Sequence, residues 1–292
     1  MIDAHTHCFP NDPFSNSKVW AQTNKEDYWL RLVAPNKKPS LQRWNTKEQT
    51  LKVMHDANIE KIILLGWYWE HESTCLWHNQ LMQSWFKEAP DKFIGFASIL
   101  PNHSILKQLE LAKSMGFRGV GELHPSVQNF SGNKRHWYQM AEWCIQENWP
   151  INIHVTESLN LPHSGYTQTP FQFYLDLAIA FPELKIILAH WGGGIPFFEQ
   201  NPKLNPLLKN VFYDTAASPL LYDMTIFKNV ISMVGIEKII FGSDYPLNLY
   251  PNYQAEADIK TFIQAVHTDA DLSSEAMNSL FKETITNILG SH

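Results

Sequence analysis

Cysteine is scarce in this chain: Cys8, Cys75 and Cys144 are the only three in 292 residues, and none forms a C-x-x-C pair. So sparse and odd a set argues against a disulfide framework or a zinc ribbon and reads as reduced thiols. Long apolar runs are missing too; none approaches the roughly 18 residues of a membrane-spanning helix, so a membrane protein is not expected. The start, MIDAHTHCFP, lacks the basic and continuous apolar regions of a secretory signal, which makes a cytoplasmic location the default expectation. Clustered positive charge is also absent, and 23 Lys and Arg against 29 Asp and Glu give a formal net charge of −6. Phosphate backbones need concentrated positive charge, so nucleic acid is not the expected ligand. A small-molecule substrate is the expected partner, with a homodimer left open.

What is present is ordinary for a globular protein: 44% hydrophobic and 18% charged residues. Short β-branched runs recur at 1–5, 62–66, 93–99, 119–123, 151–155, 186–190, 211–215 and 239–244. Stretches of helical period lie between them, as at 46–57, 76–87, 105–115, 137–147, 171–181 and 221–233. Eight strand-then-helix repeats in a chain of this length predict a single-domain α/β protein, a (β/α)8 TIM barrel over residues 1–292. An open doubly wound sheet is the alternative. Gly192, Gly193 and Gly194 do not make a dinucleotide site, because the G-x-G-x-x-G spacing is absent and Pro196 follows at once. Residues 11–45 are expected to be a long inserted lid loop after strand one, ordered by its aromatic residues. Residues 157–169 form a second loop, and the part from 255 onward reads as closing helices.

The chemistry gathers at strand ends. His5 and His7 are two apart, so on a strand they share a face, with Ile2, Ala4 and Thr6 expected on the other. In PINIHVTE the same alternation puts Asn152, His154 and Thr156 on the face opposite Ile151, Ile153 and Val155. His190 ends strand six in KIILAHWGGG, and Asp244 ends strand eight in KIIFGSDYP. Barrel enzymes build their sites at the C-terminal ends of the strands. Four such ends offering imidazole and carboxylate point to a divalent metal, since these are ligands that suit zinc and its neighbours.

The DAHTH start, His154, the LAHWGGG run and the FGSDYPL run together resemble the amidohydrolase superfamily, specifically its amidohydrolase-related branch, over essentially the whole barrel. That branch contains hydrolases, lactonases among them, and non-oxidative decarboxylases similar to aminocarboxymuconate semialdehyde decarboxylase. The resemblance implies that His5, His7, His154 and Asp244 bind the metal, usually zinc, with His190 as a close catalytic neighbour. Glu122 is a departure. It shares a face with His124 in GVGELHP, where binuclear members place a bridging carboxylated lysine or a glutamate, so it could bridge a second ion with His154 and His190.

A metal held this way lowers the pKa of a water from about 15.7 towards about 7. Asp244 is the expected proton acceptor, and His190 is expected to orient the nucleophile or stabilise developing charge. Trp67, Tyr68 and Trp69 follow strand two, Trp191 follows His190 and Tyr245 follows Asp244. As a group these aromatics suggest a flat or cyclic substrate, with Trp67, Trp69, Trp191 and Tyr245 as its contacts. Arg135, His163 and the Lys and Arg residues of the insert are candidate carboxylate anchors. Hydrolysis of a small carbonyl compound is the first expectation, and decarboxylation of an aromatic or unsaturated acid is the second. A metal-containing binding protein without catalysis is the third, disfavoured because a structural zinc needs no neighbouring base.

Overall fold

The computed structural model describes residues 1–35, 39–157 and 165–290. Each expected apolar run forms a strand: β1 Ile2–His7, β2 Lys61–Leu65, β3 Phe93–Phe96, β4 Val120–Leu123, β5 Ile151–Ile153, β6 Ile186–Leu188, β7 Val211–Asp214 and β8 Ile239–Ile240. The helices are α1 Asn11–Phe14, α2 Ser17–Asn24, α3 Asp27–Val33, α4 Lys47–Asp56, α5 Glu72–Glu88, α6 Ile105–Met115, α7 Phe130–Gln146 and α8 Phe171–Ala180. They continue as α9 Ser218–Leu221, α10 Ile226–Val234, α11 Ile259–Asp269, α12 Ser274–Asn278 and α13 Thr284–Leu289.

All strand pairs are parallel, in the orders β1-β2-β3 and β4-β5-β6-β7-β8. Two seams close them into a barrel. Ala97 bridges to Val120, and Thr6 bridges to Tyr245; Asp244 N–H donates to the His5 carbonyl at 2.8 Å across the second seam. Local chemistry agrees with this frame. Thr46 and Gln49 form a reciprocal capping box that starts α4, and Gly116, at φ 96°, ends α6 in the left-handed conformation that glycine adopts without steric cost.

β1 departs from simple alternation, because its register against β2 shifts between Asp3 and Thr6. Ile2 and Ala4, expected to face the helices, instead join Ile63, Leu65, Phe96, Ile187 and Ile240 in one buried cluster. Strands β3 and β6 are not neighbours, so side chains from both can meet only inside the barrel. The shift lets His5 and His7 point to the same side as Ile2 and Ala4. Ile285 and Ile288 of α13 close this cluster from below, where Lys185 Nζ donates to the Ile288 carbonyl at 2.7 Å.

Two connections differ from expectation. The first part of the 11–45 insert is not a loop: 11–33 form three short helices, sewn together by Phe14, Trp29 and the aromatic residues after β2. Each such ring removed from water contributes about 1.5–3 kcal/mol, which holds helices too short to persist alone. Between β6 and β7 there is no α-helix but a tight-turned segment, His190–Gln200. Its backbone opens with five consecutive positive φ angles, from His190 to Gly194.

Candidate metal centre

His5 and His7 end β1, and Asp244 lies beyond β8 on the adjoining seam. Ligand atoms of these three lie within 4.8 Å of one another, and so do those of His5, Glu122 and His190. His7 Nε2 is 3.4 Å and His5 Nε2 is 3.8 Å from Asp244 Oδ1. The same two nitrogens are 3.7 and 3.9 Å from Glu122 Oε2. Both are buried and lack a hydrogen-bond partner among the described residues. An orphaned imidazole nitrogen costs about 1–3 kcal/mol, so two converging on a pair of carboxylates fit a cation between them. The donor set, imidazole and carboxylate, suits a divalent transition metal.

Glu122 faces both ways. Its Oε1 is 2.8 Å from His154 Nδ1 and 3.5 Å from His190 Nε2, and the two imidazoles are 3.2 Å apart. Behind the cluster the other ring nitrogens are tethered: His5 Nδ1 to Asp214 Oδ2 at 2.8 Å, His7 Nδ1 to the Leu65 carbonyl at 3.3 Å, and His190 Nδ1 to the Ala216 carbonyl at 3.2 Å. Such tethers fix the ring orientation of a ligating histidine. Asp214, at the end of β7, also accepts from Asn152 Nδ2 and the backbone N–H groups of His190 and Ala216. The sequence reading passed over it, although a polar residue ending an apolar strand was the signal that found the others.

The backbone is unusual where the chemistry is. His190 and Asp244 have φ of 57° and 70°, a region that non-glycine residues occupy rarely and at a cost of about 1–3 kcal/mol. Gly242 is required beside them, because a Cβ there would meet His5 Cβ at 2.6 Å.

Electrostatics favour added positive charge. Burial works against a charged His5, but Asp214, Glu122 and Asp244 outweigh it and raise the imidazole to about 9. His190 rises to about 10 for the same reason, with Glu122 the leading partner against burial. Burial also opposes the Glu122 carboxylate, yet His154, His190 and His5 hold it well below the usual range. The field that retains protons on these imidazoles is the field that a divalent cation would occupy in their place.

The four aromatic residues expected to touch substrate have different fates. Trp67 lies edge-on to His7, with ring centroids 5.3 Å apart. Trp69 is fully buried beneath the insert and donates from Nε1 to His78 at 3.1 Å. Trp191 is turned away by the left-handed backbone, donates to Ser218 Oγ at 2.8 Å and packs edge-on against Phe227 of α10. Tyr245 is buried in the outer apolar cluster. The rings that do flank the centre include Tyr68, 5.6 Å from His154, with Tyr28 of α3 beside it at 5.7 Å. Arg135 stands exposed on α7 beside Lys134 and Glu142, and His163 lies outside the described residues.

A parallel barrel with buried imidazoles and carboxylates converging at its strand ends is the architecture of a metal-dependent barrel enzyme. The chain belongs to the amidohydrolase family, in its amidohydrolase-2 branch, whose model matches residues 2–290. It shares its fold with 5-carboxyvanillate decarboxylase from Sphingomonas paucimobilis, at TM-score 0.72 and 14% identity over 99% of this chain and 98% of that one. Dihydroxybenzoic acid decarboxylase from Polaromonas sp. JS666, with manganese and the inhibitor 2-nitroresorcinol, matches at TM-score 0.65 and 15% identity over 99% and 96%. A probable 2-pyrone-4,6-dicarboxylic acid hydrolase from Acinetobacter baumannii matches at TM-score 0.63 and 17% identity over 99% of both chains. Among the described residues no helix is long and apolar enough to cross a membrane.

Proposed function

We propose that the protein is a metal-dependent hydrolase of a small, cyclic or aromatic carbonyl compound. The observation that carries this reading is the two-faced Glu122: one oxygen addresses His5 and His7, the other His154 and His190. A carboxylate between two imidazole pairs would suit two divalent ions, one held by His5, His7 and Glu122 and one by Glu122, His154 and His190, a donor set that fits metal-assisted hydrolysis. A bound divalent ion supplies a water of lowered pKa and polarises the substrate carbonyl.

The chain's own residues do the rest. Asp244, with its Oδ1 facing the imidazoles of β1, takes the proton of the attacking water and passes it to the leaving group. His190, with Nδ1 held by the Ala216 carbonyl, keeps Nε2 aimed at Glu122, where with His154 it would hold the second ion. Asp214 keeps the His5 ring aimed inward. The insert at 11–45 acts as a lid that excludes water, with Tyr28 and Trp67 over the centre. Zinc is the proposed ion on ligand chemistry; manganese in the decarboxylase from Polaromonas keeps that metal as the alternative.

Non-oxidative decarboxylation of an aromatic acid is the second reading, supported by the decarboxylases that share the fold. A panel of lactones, aryl esters and hydroxybenzoic acids, scored for ring opening or ester cleavage against CO2 release, separates the two. Hydrolysis without CO2 is expected. Release of CO2 alone replaces the first reading with the second.

A further inference from the structure

His124 follows β4 directly, two residues beyond Glu122, and it is 1% exposed. Neither ring nitrogen has a hydrogen-bond partner among the described residues, although both are buried. The main chain at Thr167 comes near enough to act on the ring, yet meets neither nitrogen with hydrogen-bond geometry. His78 shows what a satisfied buried histidine looks like in this protein: Nδ1 accepts from Trp69 and Nε2 donates to the Cys8 carbonyl at 3.0 Å. Buried polar groups are almost always paired, and leaving one unpaired is costly. Single unpaired nitrogens occur elsewhere, as in Trp29 and Trp137, but in His124 both nitrogens of one ring are unpaired beside the centre, which points to a partner that arrives from outside.

Its surroundings describe that partner. The His124 ring stacks on His154, with centroids 4.9 Å apart and planes 15° apart. Tyr68 and Tyr28 meet it edge-on at 5.1 and 5.7 Å, and the two phenol rings lie 5.7 Å from each other. An imidazole and two phenols offer donors and acceptors on flat walls. They match a hydroxyl or carbonyl group on a ring, whereas carboxylate and phosphate call for the fork of an arginine.

We propose that His124 is a substrate-binding residue which, with Tyr28 and Tyr68, receives an uncharged hydrogen-bonding substituent on the ring of the substrate. The ring class rests on the hydrolytic reading above; the assignment of His124 to ligand binding stands apart from it. Tyr28 belongs to the insert, so this subsite is completed only when the insert lies over the barrel.

The test compares His124→Phe with His78→Phe in metal-loaded protein. A histidine kept for a ligand is replaced without loss: Tm rises by about 2 to 4 °C and metal content is unchanged. His78→Phe, which strands its partners, loses stability. His124→Leu guards against a simple clash of the phenyl ring. With dihydrocoumarin and its ring-hydroxylated analogue as probes, wild type favours the hydroxylated compound, and His124→Phe raises KM for that compound alone by about tenfold. The proposal is overturned if both His124 variants lose stability as His78→Phe does, or if the preference for the hydroxylated probe survives them. A wild type that opens neither lactone, cleaves no aryl ester and releases CO2 from hydroxybenzoic acids refutes the hydrolytic reading, and the stability comparison then decides on His124 by itself.

Discussion

Asp244 stands where metal binding and proton transfer meet. Its Oδ1 lies 3.4 Å from His7 Nε2, and its backbone is held in a left-handed turn by the His5 carbonyl. Asparagine keeps the size and one oxygen donor but loses the basicity. Asp244→Asn should therefore retain much of the metal while losing about 10²- to 10⁴-fold in turnover. Metal analysis beside the rate checks both halves, and near-normal turnover with full metal moves the base to His190. Asp214 makes a different prediction because it reaches the centre only through His5 and His190. Asp214→Asn should weaken metal affinity about 10- to 100-fold, read by chelator competition; unchanged affinity would show that the His5 ring needs no tether. The residues of the cluster were legible in the sequence because each lies at or just beyond the end of an apolar strand, although a register shift in β1 and left-handed backbone at His190 and Asp244, not simple alternation, set their direction. The direction of the aromatic residues was less so: Trp67 lies against His7, whereas Trp69, Trp191 and Tyr245 pack elsewhere. After each strand end the chain turns, and Trp191 shows how a left-handed backbone sends a ring outwards to Phe227.

At the scale of elements, the insert is fastened by two carboxylates that cap in opposite directions. Glu70, after β2, accepts from the Tyr28 N–H at 2.6 Å and so satisfies a free donor at the start of α3. Glu26, just before α3, accepts from the Glu70 N–H at 2.7 Å. Each segment thus closes an exposed backbone group of the other, and Tyr28 is placed over the centre as a result. Glu70→Ala should loosen this clasp by about 1 kcal/mol, seen as faster amide exchange across 17–33 with the barrel strands unchanged. Uniform exchange in variant and wild type would mean that aromatic packing alone holds the insert. Such a clasp explains why the helices of residues 11–45 were not legible as helices. α1 to α3 are 4, 8 and 7 residues long, too short for periodicity to register and dependent on partners distant in sequence. The eight strands needed no such help, since each apolar run is bounded locally. The segment after β6 resisted for another reason: three glycines and Pro196 deny it a regular helix, while five positive φ angles aim His190 at Glu122.

For the molecule as a whole, stability against pH separates structural histidines from those of the centre. His78 is fully buried and neutral, with burial pushing its imidazole down to about 4. The tautomer follows from its partners: indole N–H can only donate, so Nδ1 accepts from Trp69 and Nε2 carries the proton given to the Cys8 carbonyl. Its ordinary value is 6.5, so between pH 4 and 6.5 the unfolded chain binds more protons than the folded one. Stability from this residue is then complete above that window and is lost as pH falls through it. Asp3 acts oppositely, because burial raises its carboxyl to about 7 and the folded state holds the extra proton below that value. In metal-free protein His5 and His190, raised to about 9 and 10, add stability that is full below pH 6.5 and declines as pH climbs above it. The total curve therefore mixes signs, and the informative quantity is the difference between wild type and His78→Gln, whose amide can accept and donate but does not titrate. The stability of wild type relative to His78→Gln should fall by about 2 kcal/mol between pH 7 and pH 5, measured by urea unfolding at both. Parallel curves would show that His78 takes up its proton in the folded protein, and that the contact between Trp69 and His78 does not hold the ring neutral beneath the insert.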